Sequence, residues 1–268
     1  MDDDIRNKGK RKEISINRNF MKCPDFSNIS FKSDQDKKMP YPPLCKDAKG
    51  EIIEISADFK NILINNTYSE LLDMRRSERI YDALTPMTQN QLAFILWSTQ
   101  GIQKVSGDNR HSFRPVASGG ARHAFETYFI SRSIEGLKPG VYHYLPLIHV
   151  GEKRVSVEFL GELPDSEGYL SRMLAGQSWA EAAPAAFFLS CVAYRAEWRY
   201  SYFSHRVALI DSGHVGQNLM LSASSMGLGS CCIASYDQKL CDAVFGLDGY
   251  EEYTVYAFTV GNLKRDEK

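Results

Sequence analysis

A chain of 268 residues with 43% hydrophobic content is long enough to bury a large core as one domain, or as one domain with an arm. Its 32 Lys+Arg against 33 Asp+Glu leave a formal charge of -1, too small a field to hold a polyanion, so nucleic acid is not an expected partner. Residues 1–18 alternate acidic and basic side chains with no apolar stretch of the signal-peptide kind, and no run elsewhere is long enough to span a bilayer. The six cysteines, Cys23, Cys45, Cys191, Cys231, Cys232 and Cys241, show no C-x-x-C spacing, so reduced thiols and a cytoplasmic location are expected. Cys231-Cys232 reads as a pair of small buried hydrophobes in preference to a metal or redox pair.

Residues 1–60 are polar and charge-dense, with a rigid extended piece at Pro40-Tyr41-Pro42-Pro43; they read as an arm, partly extended and placed to pack on a neighbouring subunit, ahead of a domain over 61–268. The run from Thr67 to Met74 looks helical and leads into Arg75-Arg76-Ser77-Glu78-Arg79, three fixed cations and a hydroxyl within five residues. A planar guanidinium fork grips phosphate oxygens in pairs, where a lysine is a point charge. The competing reading is a solvated, charged helix end. Thr88-Gln89-Asn90-Gln91 opens the next helix as a capping box, with Leu92, Ile95, Leu96 and Thr99 on one face and Gly101 at its end. Strands are predicted over Ala124–Ser131, over Gly140–Tyr144 after the Lys138-Pro139 turn, and around Val155, Val157 and Phe159. The nearly unbroken apolar segment Pro184–Ala193 predicts a strand buried on both faces. Val207–Met226 predicts a central helix closed by Gly227-Leu228-Gly229, and Tyr253–Val260 the last strand. Together these give an α+β fold, an antiparallel or mixed sheet wrapped by helices.

The second chemically suggestive stretch is Arg114-Pro115-Val116-Ala117-Ser118-Gly119-Gly120-Ala121-Arg122-His123. Adjacent glycines let backbone N–H groups turn toward an acceptor-rich ligand edge and Ser118 adds a hydroxyl; alternatively this is a glycine-rich turn feeding a strand. A ligand carrying both a phosphate and a planar hydrogen-bonding ring would use this turn and the arginine cluster together. His111, His123, His143, His149, His205 and His214 show no metal-ligand spacing, and no serine lies in a nucleophile-elbow pattern, so neither a metal nor an activated nucleophile is expected. His214, inside a small-residue helix, reads as a hydrogen-bonded core residue.

From about Asn61 to Leu263 the chain resembles the nitroreductase superfamily of FMN-dependent flavoproteins, and most closely its branch of SagB-type dehydrogenases. The resemblance rests on Arg-Arg-Ser-x-Arg at 75–79, the helix end Leu96-Trp97-Ser98-Thr99-Gln100-Gly101, the turn Ser118–His123, the segment Glu135–Tyr144 and the run Asp211–Leu219. It implies a nitroreductase-like dimeric fold in which Arg75 and Ser77 contact the FMN phosphate, with Arg76 in the same cluster and Arg79 nearer the ribityl chain and the pyrimidine edge. It also implies that Ser118, Gly119 and Gly120 line the flavin, and that the loop holding Ala234 and Ser235 presents a backbone N–H near N5, with Ser235 as donor. Lys264, in the segment 261–265, is a further phosphate contact or part of a solvated tail. A permanent cation beside the ring favours the negative charge that a reduced flavin carries.

The same resemblance places Tyr194–Tyr200, Tyr202 and Arg206 around a substrate cavity. Azoline dehydrogenases of this branch use a Lys-Tyr pair there; this chain has Arg199-Tyr200, and arginine stays protonated, which argues against azoline oxidation by that route. Tyr200 remains a possible proton donor or a packing residue. The implied activity is hydride transfer between NAD(P)H and a small-molecule organic acceptor of nitro or quinone type, by a two-step ping-pong mechanism in a homodimer. The alternatives are a SagB-type dehydrogenase oxidising a peptide or small-molecule precursor, and a non-catalytic flavin-binding protein.

Overall fold

Eight consecutive residues without a charge, Ala185–Val192, form the middle of a sheet, and seven of them are buried. The computed structural model describes residues 12, 14–18, 20–22, 32–55, 58, 59, 61–64, 67–164 and 167–264. The sheet has seven strands in the order β1-β6-β5-β4-β7-β9-β8, every neighbouring pair antiparallel. These are β1 (Glu51–Ile55), β4 (Phe125–Ser131), β5 (Gly140–Tyr144), β6 (Val155–Gly161), β7 (Ala185–Val192), β8 (Leu228–Ile233) and β9 (Glu252–Asn262); β2 (Lys104–Val105) and β3 (Ser112–Phe113) make a separate ribbon. The helices are α1 (Tyr68–Met74), α2 (Gln89–Gln100), α3 (Tyr169–Met173), α4 (Ala193–Tyr200), α5 (Ser204–Ser225) and α6 (Gln238–Phe245).

The helix starts follow from the sequence. Thr88 caps α2 by accepting from the Gln91 N–H, and the Gln91 side chain accepts from the Thr88 N–H at 2.9 Å; Thr67 and Glu70 repeat the arrangement on α1. Each such cap is worth about 1 kcal/mol. One face of the sheet packs on α2 and α5 through Leu92, Leu96, Phe129, Phe187, Leu219 and Phe258. The other packs on α3 and α6 through Tyr128, Ile130, Phe188, Leu170, Met173 and Phe245. Fully burying one such Leu or Phe contributes about 1.5–3 kcal/mol.

That second face also carries charge. Glu126 on β4, His143 on β5 and Glu158 on β6 are almost fully buried, with His143 Nε2 3.0 Å from Glu126 Oε2 and Nδ1 3.4 Å from Glu158 Oε2. Arg195 of α4, also buried, donates from Nη2 to Glu126 Oε1 at 2.5 Å. Residues 44–50 close over this row: the Lys46 N–H donates to Glu126 at 2.8 Å, and the Lys49 and Gly50 N–H groups donate to Glu158. Lys46 Nζ reaches the Tyr128 hydroxyl at 2.7 Å and Glu252 at 2.5 Å.

So the segment read as an arm is tied to its own chain from Asp34 onward. Tyr41 packs on Trp198 with ring centroids 4.2 Å apart, and the Gln35 N–H donates to the Trp198 carbonyl. Glu51–Ile55, inside the same span, is the edge strand β1 on β6, so the sheet begins before residue 61. Residues 1–11 and Cys23 lie outside the described residues.

Candidate functional site

The arginine cluster follows directly on α1 and lies across the edge of the sheet. Ser77 bridges Ser230 of β8 in parallel fashion, the Glu78 N–H donates to the Ser230 carbonyl at 2.9 Å, and the Asp82 N–H to the Asn262 carbonyl at the end of β9. The approach needs Gly229: a Cβ there would stand 2.3 Å from Leu263 and 2.9 Å from the Cβ of Glu78. The Lys264 N–H donates to the Ile80 carbonyl, so Lys264 joins the same edge; Arg265 lies outside the described residues. Arg76 donates to the Arg75 carbonyl at 2.8 Å and Arg79 to the Ser77 carbonyl at 3.2 Å. None of Arg75, Arg76, Arg79 and Lys264 forms an ion pair with a carboxylate among the described residues.

Ala234 and Ser235 sit exposed just past β8, and the Ser235 N–H meets no acceptor among the described residues. A turn at residues 177–182 ties the two parts together. Gln177 Nε2 donates to the Ser235 carbonyl at 3.1 Å, and the Trp179 ring lies 5.7 Å from the Arg79 guanidinium. Sequence reading singled out neither residue; no local pattern marks them, and only the turn's placement beside β8 does.

The Ser118-Gly119-Gly120 turn stands elsewhere. The Ser118 hydroxyl donates to Asp211 of α5 at 2.7 Å, the Gly119 N–H donates to the same carboxylate at 3.0 Å, and the Ser118 oxygen accepts from the His123 N–H at 2.9 Å. The hydroxyl and N–H expected to face a ligand are therefore committed inside the chain. Burial lifts the Asp211 carboxyl above its ordinary range, opposed by those two hydrogen bonds and by His214. Burial, with Arg114 adding to it, drives His123 down to about 3, so it is a neutral imidazole. Gly120, Ala121 and His123 all have positive φ (56°, 52° and 44°), and for Ala121 and His123 this costs on the order of 1 kcal/mol or more each.

Tyr200, at the end of α4, brings its hydroxyl against this turn; a Cβ on Gly120 would meet it at 2.8 Å and Arg199 Nε at 2.7 Å. The turn rests on Val207 near the start of α5, whereas Cys232, which feels the charge of Arg75, contacts the Gly216 carbonyl. Along α5 the turn also meets Asp211 and, through the Ala117 carbonyl, His214, while Gly216 faces Cys232.

A model of the nitroreductase family matches residues 72–262. The chain belongs to the nitroreductase family. It is 30% identical over 193 residues, 72% of this chain and 89% of the relative, to the Methanocaldococcus jannaschii protein MJ1384, which is named as a nitroreductase. It is 24% identical to the Microcin B17-processing protein McbC of Escherichia coli, over 88% of this chain and 84% of McbC. Among solved structures, a Ralstonia eutropha JMP134 protein, likewise named as a nitroreductase, superposes with a TM-score of 0.62 at 18% identity, covering 85% of this chain and all of that one. Family membership makes the chain a nitroreductase-family oxidoreductase, and the shared fold is the one described above.

Within the nitroreductase fold the expected cavity residues divide. Arg195 and Trp198 are buried 3% and 1% exposed, Arg195 because its charge is spent on Glu126, Trp198 because it packs on Tyr41. Neither lines the cavity built by their neighbours. Tyr194, Tyr202, Phe203 and Arg206 do line that cavity, of about 1010 Å³, together with Ile16 and Phe20. His214 is not a core residue: it is about half exposed and meets the Ala117 carbonyl at 3.2 Å. Cys231 is buried and Cys232 half-buried, both as free thiols, and no His/Cys/Asp/Glu group among the described residues is arranged to hold a metal ion. No helix among the described residues is long and apolar enough to cross a membrane.

Proposed function

We propose that this chain is an FMN-dependent oxidoreductase that moves hydride between NAD(P)H and an organic acceptor of nitro or quinone type, in two half-reactions at a flavin held between two copies of the chain. The observation that carries this reading is the β8 edge, along which Arg75, Arg79 and Lys264 lie without a carboxylate partner among the described residues, while the Ser235 N–H meets no acceptor there and the Ser235 carbonyl is held by Gln177. Such a set fits a ligand with a phosphate at one end and a planar hydrogen-bonding ring at the other. Arg75, Ser77 and Lys264 would hold the phosphate, Arg79 the ribityl chain and pyrimidine edge, and Ala234 and Ser235 the ring near N5. Bound there, FMN supplies two-electron chemistry that no side chain offers. The fixed charge of Arg79 favours negative charge on the reduced ring, and the Ser235 N–H orients it.

Two copies are invoked because the nitroreductase resemblance implies a dimer that encloses its flavin. Support comes from α5, where Leu209 and Ile210 are half exposed and Gly213 opens on free space, one helix face with no cover among the described residues. Pairing such faces would carry the turn of one copy, with Tyr200 as proton donor, toward the arginine edge of the other. On this reading the protein works in the cytoplasm.

The similarity to McbC favours a second reading, a SagB-type dehydrogenase that oxidises a peptide or small-molecule precursor. Arg199 beside Tyr200 weighs against a base at that position. The test is an absorption spectrum of the purified protein followed by anaerobic titration with NADH and with NADPH. Yellow protein bleached by a nicotinamide and recoloured by menadione or nitrofurazone supports the reductase; yellow protein inert to both nicotinamides supports the dehydrogenase. Protein that stays colourless after excess FMN overturns both.

A further inference from the structure

Charge does not balance around the Ser-Gly-Gly turn. Arg122 is buried there, its Nη2 donating to the Arg110 carbonyl at 2.7 Å, with its guanidinium 5.3 Å from the Trp198 ring and 5.7 Å from the Tyr41 ring. Arg199 comes from the last turn of α4 and lies against Gly120, its guanidinium 5.7 Å from the Tyr200 ring and without a hydrogen-bond partner among the described residues. The two cations are close enough to repel: burial and then the Arg199 charge lower the pKa of Arg122. Neither has a carboxylate within ion-pair distance among the described residues. The acids of this region are taken, Asp211 by Ser118 and Gly119, Asp108 by Arg110 and Ser106, Glu197 by His205.

A half-buried pair of like charges with no counter-ion destabilises the fold, and a bound anion removes that cost. Arginine forks match planar oxyanions in pairs, and the Tyr200 hydroxyl beside them adds a third donor. Arg195, one turn earlier on the same helix, has its acid built in as Glu126. Arg199 has none.

We propose that Arg122, Arg199 and Tyr200 form an oxyanion subsite at the Ser118–Gly120 turn, so that the acceptor reduced by this protein carries a carboxylate or a phosphate. This rests on the reductase reading for the word acceptor, but the subsite itself is tested by binding without turnover. Flavin-loaded protein is titrated calorimetrically with 4-nitrobenzoate, with 4-nitrophenyl phosphate and with the neutral methyl 4-nitrobenzoate. At least one anion binds about tenfold or more tighter than the ester, and which of the two does so tells carboxylate from phosphate. Arg199→Gln, at an accessible position, brings anion and ester to within about twofold, while Arg199→Lys keeps part of the preference because a point charge survives.

Equal binding of anions and ester by the wild type overturns the proposal, and so does an unchanged preference in Arg199→Gln. Loss of flavin from Arg199→Gln overturns it too, since the cluster would then serve the cofactor. A preference for NADPH over NADH that Arg199→Gln removes assigns the cations to the nicotinamide's extra phosphate and overturns the acceptor assignment. Selective anion binding by a protein that oxidises neither nicotinamide would sink the reductase reading and leave the subsite standing; turnover with no anion preference does the reverse.

Discussion

Two groups of charges sit at opposite extremes of this molecule. Glu126, His143, Glu158 and Arg195 have side chains no more than 3% exposed, and each is met by another charge or by the backbone of residues 46–50. Arg75, Arg76 and Arg79 are partly or wholly exposed, crowded into five residues, and meet no acid among the described residues. Water makes an unpaired surface cation cheap, so lack of a partner alone says little. What distinguishes the exposed group is that three like charges are held along one sheet edge, a placement that gains nothing for the fold. The buried group is structural because its charges are answered inside the chain; under the proposed function the exposed group is answered by a bound phosphate.

The comparison breaks most visibly at Glu126. Glu126→Gln leaves Arg195 buried with Nε and Nη1 already unpartnered, and is expected to cost about 3–5 kcal/mol in denaturant unfolding without a direct effect on flavin affinity. A loss under about 1 kcal/mol would show that the network is not what holds this face. The same group predicts an acid limb. Burial by itself would raise the Glu126 carboxyl, but the Arg195 charge and the His143 hydrogen bond more than reverse it and hold it at about 2, against an ordinary 4.5. A depressed carboxylate contributes stability that is full above about 4.5 and is lost as pH falls toward 2, here roughly 3 kcal/mol. Unfolding midpoints measured from pH 6 down to pH 2 should fall steeply in that window, and Glu126→Gln should flatten the curve.

At the exposed extreme the expectation inverts. Arg75→Ala should weaken FMN binding about 10- to 100-fold, the value of charge-assisted hydrogen bonds to a phosphate, and shift unfolding by no more than about 0.5 kcal/mol. Flavin titration of the apoprotein and a denaturant curve on the same sample read both. Unchanged affinity would remove Arg75 from the phosphate, and a large stability loss would move it into the structural group.

How far these differences were legible depends on the range of the interactions. Strands β4, β5, β6, β7 and β9 and helices α2 and α5 are written locally, in alternation, in the Thr88–Gln91 box and in an uncharged run. β1 is not, because Glu51-Ile52-Ile53-Glu54-Ile55 lacks a clean period and becomes a strand only by pairing with β6, about a hundred residues later. β8 was hidden by glycines that read as a helix cap, although Gly229 serves the close approach of Glu78 and Leu263. In the site, the arginine density is legible at once, but nothing local announces that the Ser118 hydroxyl and the Gly119 N–H bond to Asp211, more than ninety residues on. Partners that distant leave no mark on local pattern.

The finest cut falls inside the exposed cluster itself. Arg76 shares the sequence motif with Arg75, but its guanidinium turns back to the Arg75 carbonyl at 2.8 Å, and it is exposed where Arg75 is partly covered and within electrostatic reach of Cys232. If charge density alone held the phosphate, Arg75→Ala and Arg76→Ala would weaken FMN equally, because screened charges a few ångströms apart contribute alike. If direction matters, as paired hydrogen bonds from a guanidinium fork require, Arg76→Ala should change flavin affinity less than about threefold while Arg75→Ala changes it at least tenfold. Repeating both titrations at high salt separates the two causes, since a long-range contribution from Arg76 would vanish with screening and a directed contact at Arg75 would largely persist.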